Sequence, residues 1–248
     1  MTIDSAQRRR IVVDDVSKEF NIRHTHSLKE WIVAKVKGRR EATTDHFRAL
    51  DHVSFTVEDG EAVALLGLNG SGKSTLLKLI SGVMNPDGGD ILVQGKVAGL
   101  IEVGAGFHPD LTGRENVFLN GAILGMTEGQ IAERFDAIVA FSEIEEFIDT
   151  EVKFYSSGMF LRLAFAVAVH TDPDVFLVDE ILAVGDEPFQ KKCLARIREL
   201  KASGKALVIV SHDLDMVASL CERGILLRRG KMIHDGDVHA AVSMLRGE

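Results

Sequence analysis

A glycine-rich turn between an apolar run and an amphipathic run constrains this sequence more than any other stretch. Residues 62–66 form a short apolar run that predicts a strand, and an amphipathic helix is predicted from Lys73 onward. The phosphate loop between them, Gly67–Ser74, has the spacing G-x-x-x-x-G-K-[ST]. Backbone N–H groups of such a loop surround a polyphosphate, while the lysine contacts the terminal phosphates and the hydroxyl holds Mg²⁺. The alternative is an ordinary glycine turn with an incidental lysine.

Composition limits the classes of protein that the chain can belong to. A length of 248 residues allows one large α/β domain or two closely packed lobes. The hydrophobic fraction is 46%, but no stretch has the roughly 18 to 20 uninterrupted apolar residues of a membrane span. The sequence therefore predicts a protein that is soluble by itself. The net charge of -8 disfavours a nucleic-acid-binding surface, and Cys193 and Cys221 are expected to be reduced cytosolic thiols.

Strand and helix patterns alternate along the second half of the chain. Strands are predicted at 10–20 and 49–57 and again at 175–178 and 206–210, with helical patterns between them. Such alternation is typical of an α/β fold with a parallel sheet.

An insert at about 22–48 separates the first two strands. It contains the capping-box spacing of Ser27 and Glu30, and its apolar residues, including Trp31, recur at helical spacing among several lysines. Two interpretations of this amphipathic helix remain open. It packs on its own domain, or it contacts a partner beside a membrane.

Two further segments carry groups that suit phosphate chemistry. An apolar strand ends in Asp179 and Glu180, and we expect it to lie next to the phosphate loop, so that Asp179 binds Mg²⁺ and Glu180 polarises a water. The signature segment, Ser156–Met159, precedes a predicted helix at about 159–170. Free N–H groups at that helix start predict a second anion site, although a plain serine cap is the alternative.

Five motifs in order make the chain resemble the ATPase subunit of ABC transporters, over about residues 11–236. They are the phosphate loop, the signature segment, the strand that ends at Glu180, the D-loop (Ala183–Asp186) and the switch histidine His212. The resemblance implies an α/β phosphate-loop NTPase with a RecA-like parallel-sheet core, an antiparallel β subdomain and a helical subdomain at about 105–172. Residues 1–248 are then one ABC ATPase domain.

The resemblance also implies ATP and Mg²⁺ as cofactors and assigns the residues that hold them. Glu180 and His212 are the expected catalytic residues. The expected metal ligands are Ser74, Asp179 and Glu102, the last standing where the family usually has glutamine. The expected nucleotide-binding residues are Phe20, Gly67, Asn69, Gly70, Ser71, Gly72, Lys73, Ser74, Thr75, Ser156 and Gly158. Phe20 corresponds to an adenine-stacking aromatic, and a core phenylalanine is its alternative interpretation.

The stretches Gly104–Asn116, Tyr155–Ala166 and Asp179–Cys193 resemble the polysaccharide-exporting (Wzt-like) branch, which serves O-antigen, teichoic acid and galactan. That branch implies a homodimer whose two ATP sites each combine a phosphate loop with the signature segment of the other copy. A Wzm-like permease dimer is the expected membrane partner, docked near Glu102–Pro109 and the helices at 112–150. The permease handles the lipid-linked glycan, and the ATPase is held peripherally at the cytoplasmic face of the membrane.

No C-terminal carbohydrate-binding domain and no nucleic-acid partner are expected. Two other functions stay open at this point. One is the ATPase of an ABC transporter for a smaller substrate, which shares all the general motifs. The other is a soluble ABC ATPase acting on nucleic acid or ribosomes, a class that tends to have paired cassettes or basic arms.

Overall fold

A computed structural model of the chain describes residues 9–22, 45–99, 106–179 and 185–247. The strands are β1 (Arg9–Ile22), β2 (Asp45–Glu58), β3 (Ala62–Leu66), β4 (Gly88–Val93), β5 (Val97–Gly99), β6 (Val175–Asp179), β7 (Ala206–Val210), β8 (Arg223–Arg228) and β9 (Lys231–Asp237). The α-helices are α1 (Lys73–Ile80), α2 (Gly113–Ile123), α3 (Glu128–Ser142), α4 (Ser157–Val169), α5 (Glu187–Ala202), α6 (Leu214–Leu220) and α7 (Val238–Arg246).

A six-stranded sheet in the order β5-β6-β7-β3-β8-β9 forms the centre of the fold. Its strands β5, β6, β7, β3 and β8 are parallel, and β9 pairs with β8 in the antiparallel sense. Strands β3 and β7 are buried along their whole length, which explains why both are continuous apolar runs. The predicted parallel sheet is therefore confirmed.

Two hydrophobic clusters cover the two faces of this sheet. On β3, Leu66 points into the cluster built with α4, α5, α6 and α7. Its neighbour Leu65 points into the opposite cluster, which contains α1 and the inner face of the antiparallel sheet. Because successive strand residues face opposite sides, one strand is fixed by both clusters and holds the loop that follows it rigidly.

The antiparallel sheet has the order β2-β1-β4. Both long strands extend further than predicted, because the ladder continues through Phe20 opposite Phe47 to Ile22 opposite Asp45. The predicted insert at about 22–48 is therefore too long at its C-terminal end, where residues 45–48 belong to β2. The amphipathic helix predicted within this insert, with its capping-box residues Ser27 and Glu30, lies outside the described residues.

Helices α2, α3 and α4 pack together on the third hydrophobic cluster, which includes Val117, Ile131 and Leu163. Capping boxes begin the first two of these helices, with Thr112 and Glu115 at α2 and Thr127 and Gln130 at α3. Helix α6 was not predicted, since its seven residues are too few for a clear periodicity. Within the described ranges, no helix has the length and apolar character needed to cross a membrane.

Candidate nucleotide site

The sheet order corrects one expectation about the site. Strand β6 does not lie next to β3, because β7 pairs with both of them. Neighbouring strands are about 4.8 Å apart, so β6 and β3 are separated by roughly 10 Å. Val210 on β7 is level with Asp179 on β6. His212, two residues beyond Val210, therefore follows the strand that separates the phosphate loop from Asp179.

The phosphate loop depends on glycine at two positions where its backbone touches other strands. Gly67 has a φ of +148°, and a Cβ there would overlap the carbonyl oxygen of Leu227 on β8. Gly72 has a φ of +109°, and a Cβ there would lie 2.6 Å from the carbonyl oxygen of Ala49 on β2. These contacts pack the loop against both sheets in a conformation that side chains would block.

Helix α1 begins in a way that leaves its first turn available to an anion. Its N-cap is Gly72 in the left-handed conformation, with no side-chain hydrogen bond to the first turn. Of the seven α-helices in the described residues, the other six all have a side-chain cap, from Thr112, Thr127, Ser156, Asp186, Asp213 and Asp237. The first N–H groups of a helix have no carbonyl partner within the helix, and they lie at the positive end of its dipole. A phosphate accepts their hydrogen bonds and is attracted by the dipole.

Lys73 and Ser71 place two polar groups inside the loop. The Lys73 side chain is only 7% exposed, and its Nζ donates to the carbonyl oxygens of Gly67 at 2.7 Å and Leu68 at 3.3 Å. The buried Ser71 hydroxyl has no hydrogen-bond partner among the described residues. A buried ammonium and an orphaned hydroxyl beside an uncapped helix fit a bound polyphosphate. Asn69, Gly70 and Ser74 are exposed at the rim, and Thr75 is half-buried.

Asp179 and His212 are the two described residues that we expect near the terminal phosphate. They lie at the ends of the adjacent strands β6 and β7. Asp179 is the last residue of β6 and is half-buried, whereas His212 is exposed between β7 and α6. Glu180 and Glu102 lie outside the described residues, as does Ala183. The catalytic and metal-binding roles of all these residues remain predictions.

Phe20 lies at the surface of the antiparallel sheet. Its side chain is 37% exposed, so its interpretation as a core phenylalanine is wrong. Phe47, 46% exposed, is its cross-strand partner and was missed because it was assigned to the insert. The Lys18 ammonium lies 5.9 Å from the centroid of the Phe20 ring. An exposed aromatic pair of this kind can stack on a planar base, which remains a prediction for Phe20.

The signature segment forms the start of α4. Ser156 is the N-cap, and its Oγ accepts a hydrogen bond of 3.2 Å from the Met159 N–H. Ser156 and Ser157 are exposed, and Gly158 is half-buried. The preceding Tyr155 donates through its hydroxyl to the carbonyl oxygen of Phe147 at 2.7 Å, and burial raises the pKa of this phenol to about 12. Tyr155, which directly precedes the exposed serines, is thus fixed by a hydrogen bond and by partial burial.

The fold and the loop define a phosphate-loop NTPase. The sequence profile of the ABC transporter family matches residues 50–183, and the chain belongs to that family. The ABC transporter protein AbcA of Aeromonas salmonicida is 47% identical over 94% of this chain and 74% of its own length. The O-antigen export system ATP-binding protein RfbB of Klebsiella pneumoniae is 38% identical over 94% of this chain and 95% of its own length.

A third relative, the teichoic acids export ATP-binding protein TagH of Listeria innocua, is 41% identical over 92% of this chain and 67% of its own length. Among the relatives, the share of their length that the chain spans ranges from 36% to 95%. A solved structure of an ATP binding subunit of an ABC transporter is 25% identical and superimposes with a TM-score of 0.75, covering 96% of this chain and 95% of its own. These similarities confirm the predicted family, the polysaccharide-export branch, the fold class and the ATPase class.

Proposed function

We propose that the chain is the ATP-binding and hydrolysing subunit of an ABC exporter that moves a lipid-linked polysaccharide across the cytoplasmic membrane. The observation that carries the ATPase part is the phosphate loop itself, with an uncapped α1 and the buried Lys73. The polysaccharide part is supported by relatives named for O-antigen and teichoic acid export. The small-substrate transporter remains the competing function.

The residues that would hold the nucleotide have separate tasks. The N–H groups at the start of α1 bind phosphate oxygens, and Lys73 turns part of its hydrogen bonding from the Gly67 carbonyl to the terminal phosphates. Phe20 stacks on the base. These contacts fix the triphosphate at the carboxyl end of β3, which is also the side of the sheet where β6 and β7 end.

A divalent metal fits beside this loop, because a hydroxyl and carboxylates are the ligands that Mg²⁺ prefers. Ser74 and Asp179 would hold it, and Glu102 is the third candidate. When bound, Mg²⁺ neutralises charge on the phosphates. Glu180 is the proposed base that orients the attacking water, with His212 positioning the water and the terminal phosphate.

One phosphate loop and one signature segment in the chain support a dimer in which each ATP lies between two copies. Ser156 and Gly158 of one copy would complete the site at Lys73 of the other. ATP binding then closes the dimer, and hydrolysis reopens it. The proposed partner is a Wzm-like permease dimer bound near residues 102–109 and 112–150, which would hold the ATPase at the cytoplasmic face of the membrane.

Two lysines of the same helix test the proposal. Lys73→Met removes the buried ammonium and is expected to lower the ATPase rate by about 100-fold or more. Lys78→Met changes a half-buried lysine in the last turn of α1 and is the matched control, with turnover close to wild type. Phosphate release by the purified protein measures both.

The same variants test the substrate in cells of the source organism that lack their own copy. Wild type and Lys78→Met are expected to restore the labelled glycan to the outer surface, and Lys73→Met is not. Full ATPase activity in Lys73→Met would refute the nucleotide site. Loss of ATPase activity with undisturbed glycan export would favour the smaller substrate.

A further inference from the structure

The side chain of Arg162 joins three helices. Arg162 is the sixth residue of α4, and its side chain is 18% exposed. One terminal nitrogen donates to Glu143 Oε2 at 2.8 Å, and the other donates to Asp186 Oδ1 at 2.6 Å. Glu143 is the C-cap of α3, and Asp186 is the N-cap of α5. A single guanidinium thus connects the end of one helix with the start of another.

The contact with Asp186 fixes the end of the D-loop. The carboxylate oxygen that accepts from Arg162 also accepts from the Phe189 N–H at 3.3 Å, which is the capping bond of α5. The guanidinium carbon lies 4.6 Å from the centroid of the Phe189 ring, which is fully buried. Arg162 is therefore held by two charges and one ring, and it orients the carboxylate that starts α5.

The contact with Glu143 extends the connection on the other side. Glu143 Oε1 accepts from the Lys192 ammonium of α5 at 3.0 Å, and the same ammonium donates to the carbonyl oxygen of Phe141 at 3.0 Å. Lys192, Glu143, Arg162 and Asp186 form a chain of alternating charges across α3, α4 and α5. Such a network holds its members more firmly than isolated surface pairs do.

A second arginine shows what is particular to this arrangement. Arg114 of α2 makes a two-point ion pair with Asp149, at 2.7 and 3.2 Å, and lies 4.7 Å from the ring centroid of Phe135. Its side chain is 47% exposed, and its contacts stay among the helices that precede β6. Arg114 therefore has the same chemistry as Arg162 without a link to the D-loop.

We propose that Arg162 is a positioning residue that keeps the signature segment and Asp186, the last residue of the D-loop, in a fixed mutual position within one chain. Ser156 precedes Arg162 by six residues, about 9 Å along α4. Movement of that helix start is therefore transmitted through Arg162 to Asp186. The proposal rests on the proposed function, in which the signature segment completes the site of another copy.

This role separates turnover from nucleotide binding. Arg162 lies outside the phosphate loop, so the affinity of one chain for ATP does not depend on it. Assembly of the composite site does depend on it, because the signature segment and Asp186 must reach the other copy in the correct relative position. Misplacement of such groups by about 1 Å can lower a rate by about 100-fold. We expect Arg162→Met to reduce kcat by about 10- to 100-fold with an unchanged Kd for ATP.

Four variants compared with wild type test the proposal. Arg162→Met removes the connection, and Arg162→Lys keeps the charge without the two-pronged geometry and is expected to recover only part of kcat. Arg246→Met, which removes an ion pair between α7 and Asp215 of α6, is the control with kcat unchanged. Asp186→Asn keeps an oxygen that can cap α5 while weakening the ion pair, which separates a lost connection from a misfolded helix. Binding of a fluorescent ATP analogue gives Kd, and phosphate release gives kcat.

Hydrogen exchange at the Phe189 amide reports on the same connection without turnover. We expect faster exchange there in Arg162→Met than in Arg246→Met, because the capping carboxylate of Asp186 loses its orientation. Wild-type exchange and wild-type kcat in Arg162→Met would overturn the proposal. A wild-type chain without ATPase activity would instead refute the proposed function, and the exchange measurement would still decide the role of Arg162.

Discussion

The starts of α1 and α4 are both proposed to contact phosphate, and they are built in opposite ways. Helix α1 starts at Gly72, which offers no side chain to its first turn, and the adjacent Lys73 is buried. Helix α4 starts at Ser156, whose hydroxyl already accepts from its own Met159 N–H, and the serine is exposed. The first helix start has N–H groups without a side-chain cap that suit an anion, and the second is a capped helix start on the surface.

The difference shows how a site can be divided between two copies of one chain. The phosphate loop packs on β2 and β8 through Gly72 and Gly67, so its shape is set within the chain. The signature segment follows Tyr155, whose hydroxyl donates to the Phe147 carbonyl oxygen, and its two serines are exposed. We propose that its exposed face contacts a phosphate that is held by the phosphate loop of another copy. Changes at the first helix start should therefore alter folding and binding, and changes at the second should alter turnover.

The largest expected effect is at Gly72. Gly72→Ala adds a Cβ 2.6 Å from the Ala49 carbonyl oxygen and 2.8 Å from Leu50 at a positive φ, so overlap and backbone strain add. We expect the free energy of unfolding to fall by about 2 to 5 kcal/mol. Gly70→Ala is the control, because Gly70 also has a positive φ but no atom within 4 Å of its Cβ position. Its expected cost is about 1 to 2 kcal/mol.

Urea unfolding without nucleotide measures both glycine variants. Equal losses of stability would mean that the loop is not packed on β2, and the contrast between a loop fixed within the chain and a free helix start would fail. A larger loss in Gly72→Ala would establish that the loop is shaped before any ligand arrives.

Ser156 is expected to show an intermediate effect in which stability and turnover separate. Ser156→Ala removes the cap and should cost about 1 kcal/mol of stability. Ser156→Asp keeps the cap and suits the helix dipole, so its stability should stay near that of wild type. Its added charge would repel a phosphate, and we expect its ATPase rate to fall about 100-fold while the single chain still binds ATP.

Thermal unfolding and phosphate release measure the Ser156 variants side by side. Asp213→Asn, at the cap of α6, is the matched control for changing a helix cap away from the signature segment. If Ser156→Asp retained full turnover, Ser156 would be a plain cap, and the division of the site between two copies would lose its support.

The sequence predicted the phosphate loop, because its glycines, lysine and flanking strand and helix are adjacent in the chain. It did not predict that β7 separates β3 from β6, since the order of strands in a parallel sheet depends on crossovers and not on sequence order. The pairing of Phe20 with Phe47 and the contact of Arg162 with Asp186 were also not predicted. Each joins residues that are more than twenty positions apart.

The smallest expected effect concerns the opposite end of α4. His170 is the C-cap of that helix, and its Nδ1 lies 2.6 Å from the carbonyl oxygen of Ala166. Burial lowers the pKa of His170 from its usual 6.5, and the nearby cations Arg196, Arg134 and Lys192 act in the same direction against the hydrogen bond to Ala166. Ser81, the C-cap of α1, carries no titratable group.

The sign of the pH dependence at His170 follows from the two states. At pH 7.5 and above the imidazole is mostly neutral in both the folded and the unfolded chain. As the pH falls below 6.5 the unfolded chain takes up the proton first, so this contribution to stability declines until the folded pKa is reached. His170→Gln should therefore lose less stability than wild type between pH 7.5 and 5.5, as measured by urea unfolding. An equal loss of stability in both proteins would mean that the pH dependence arises at groups other than His170.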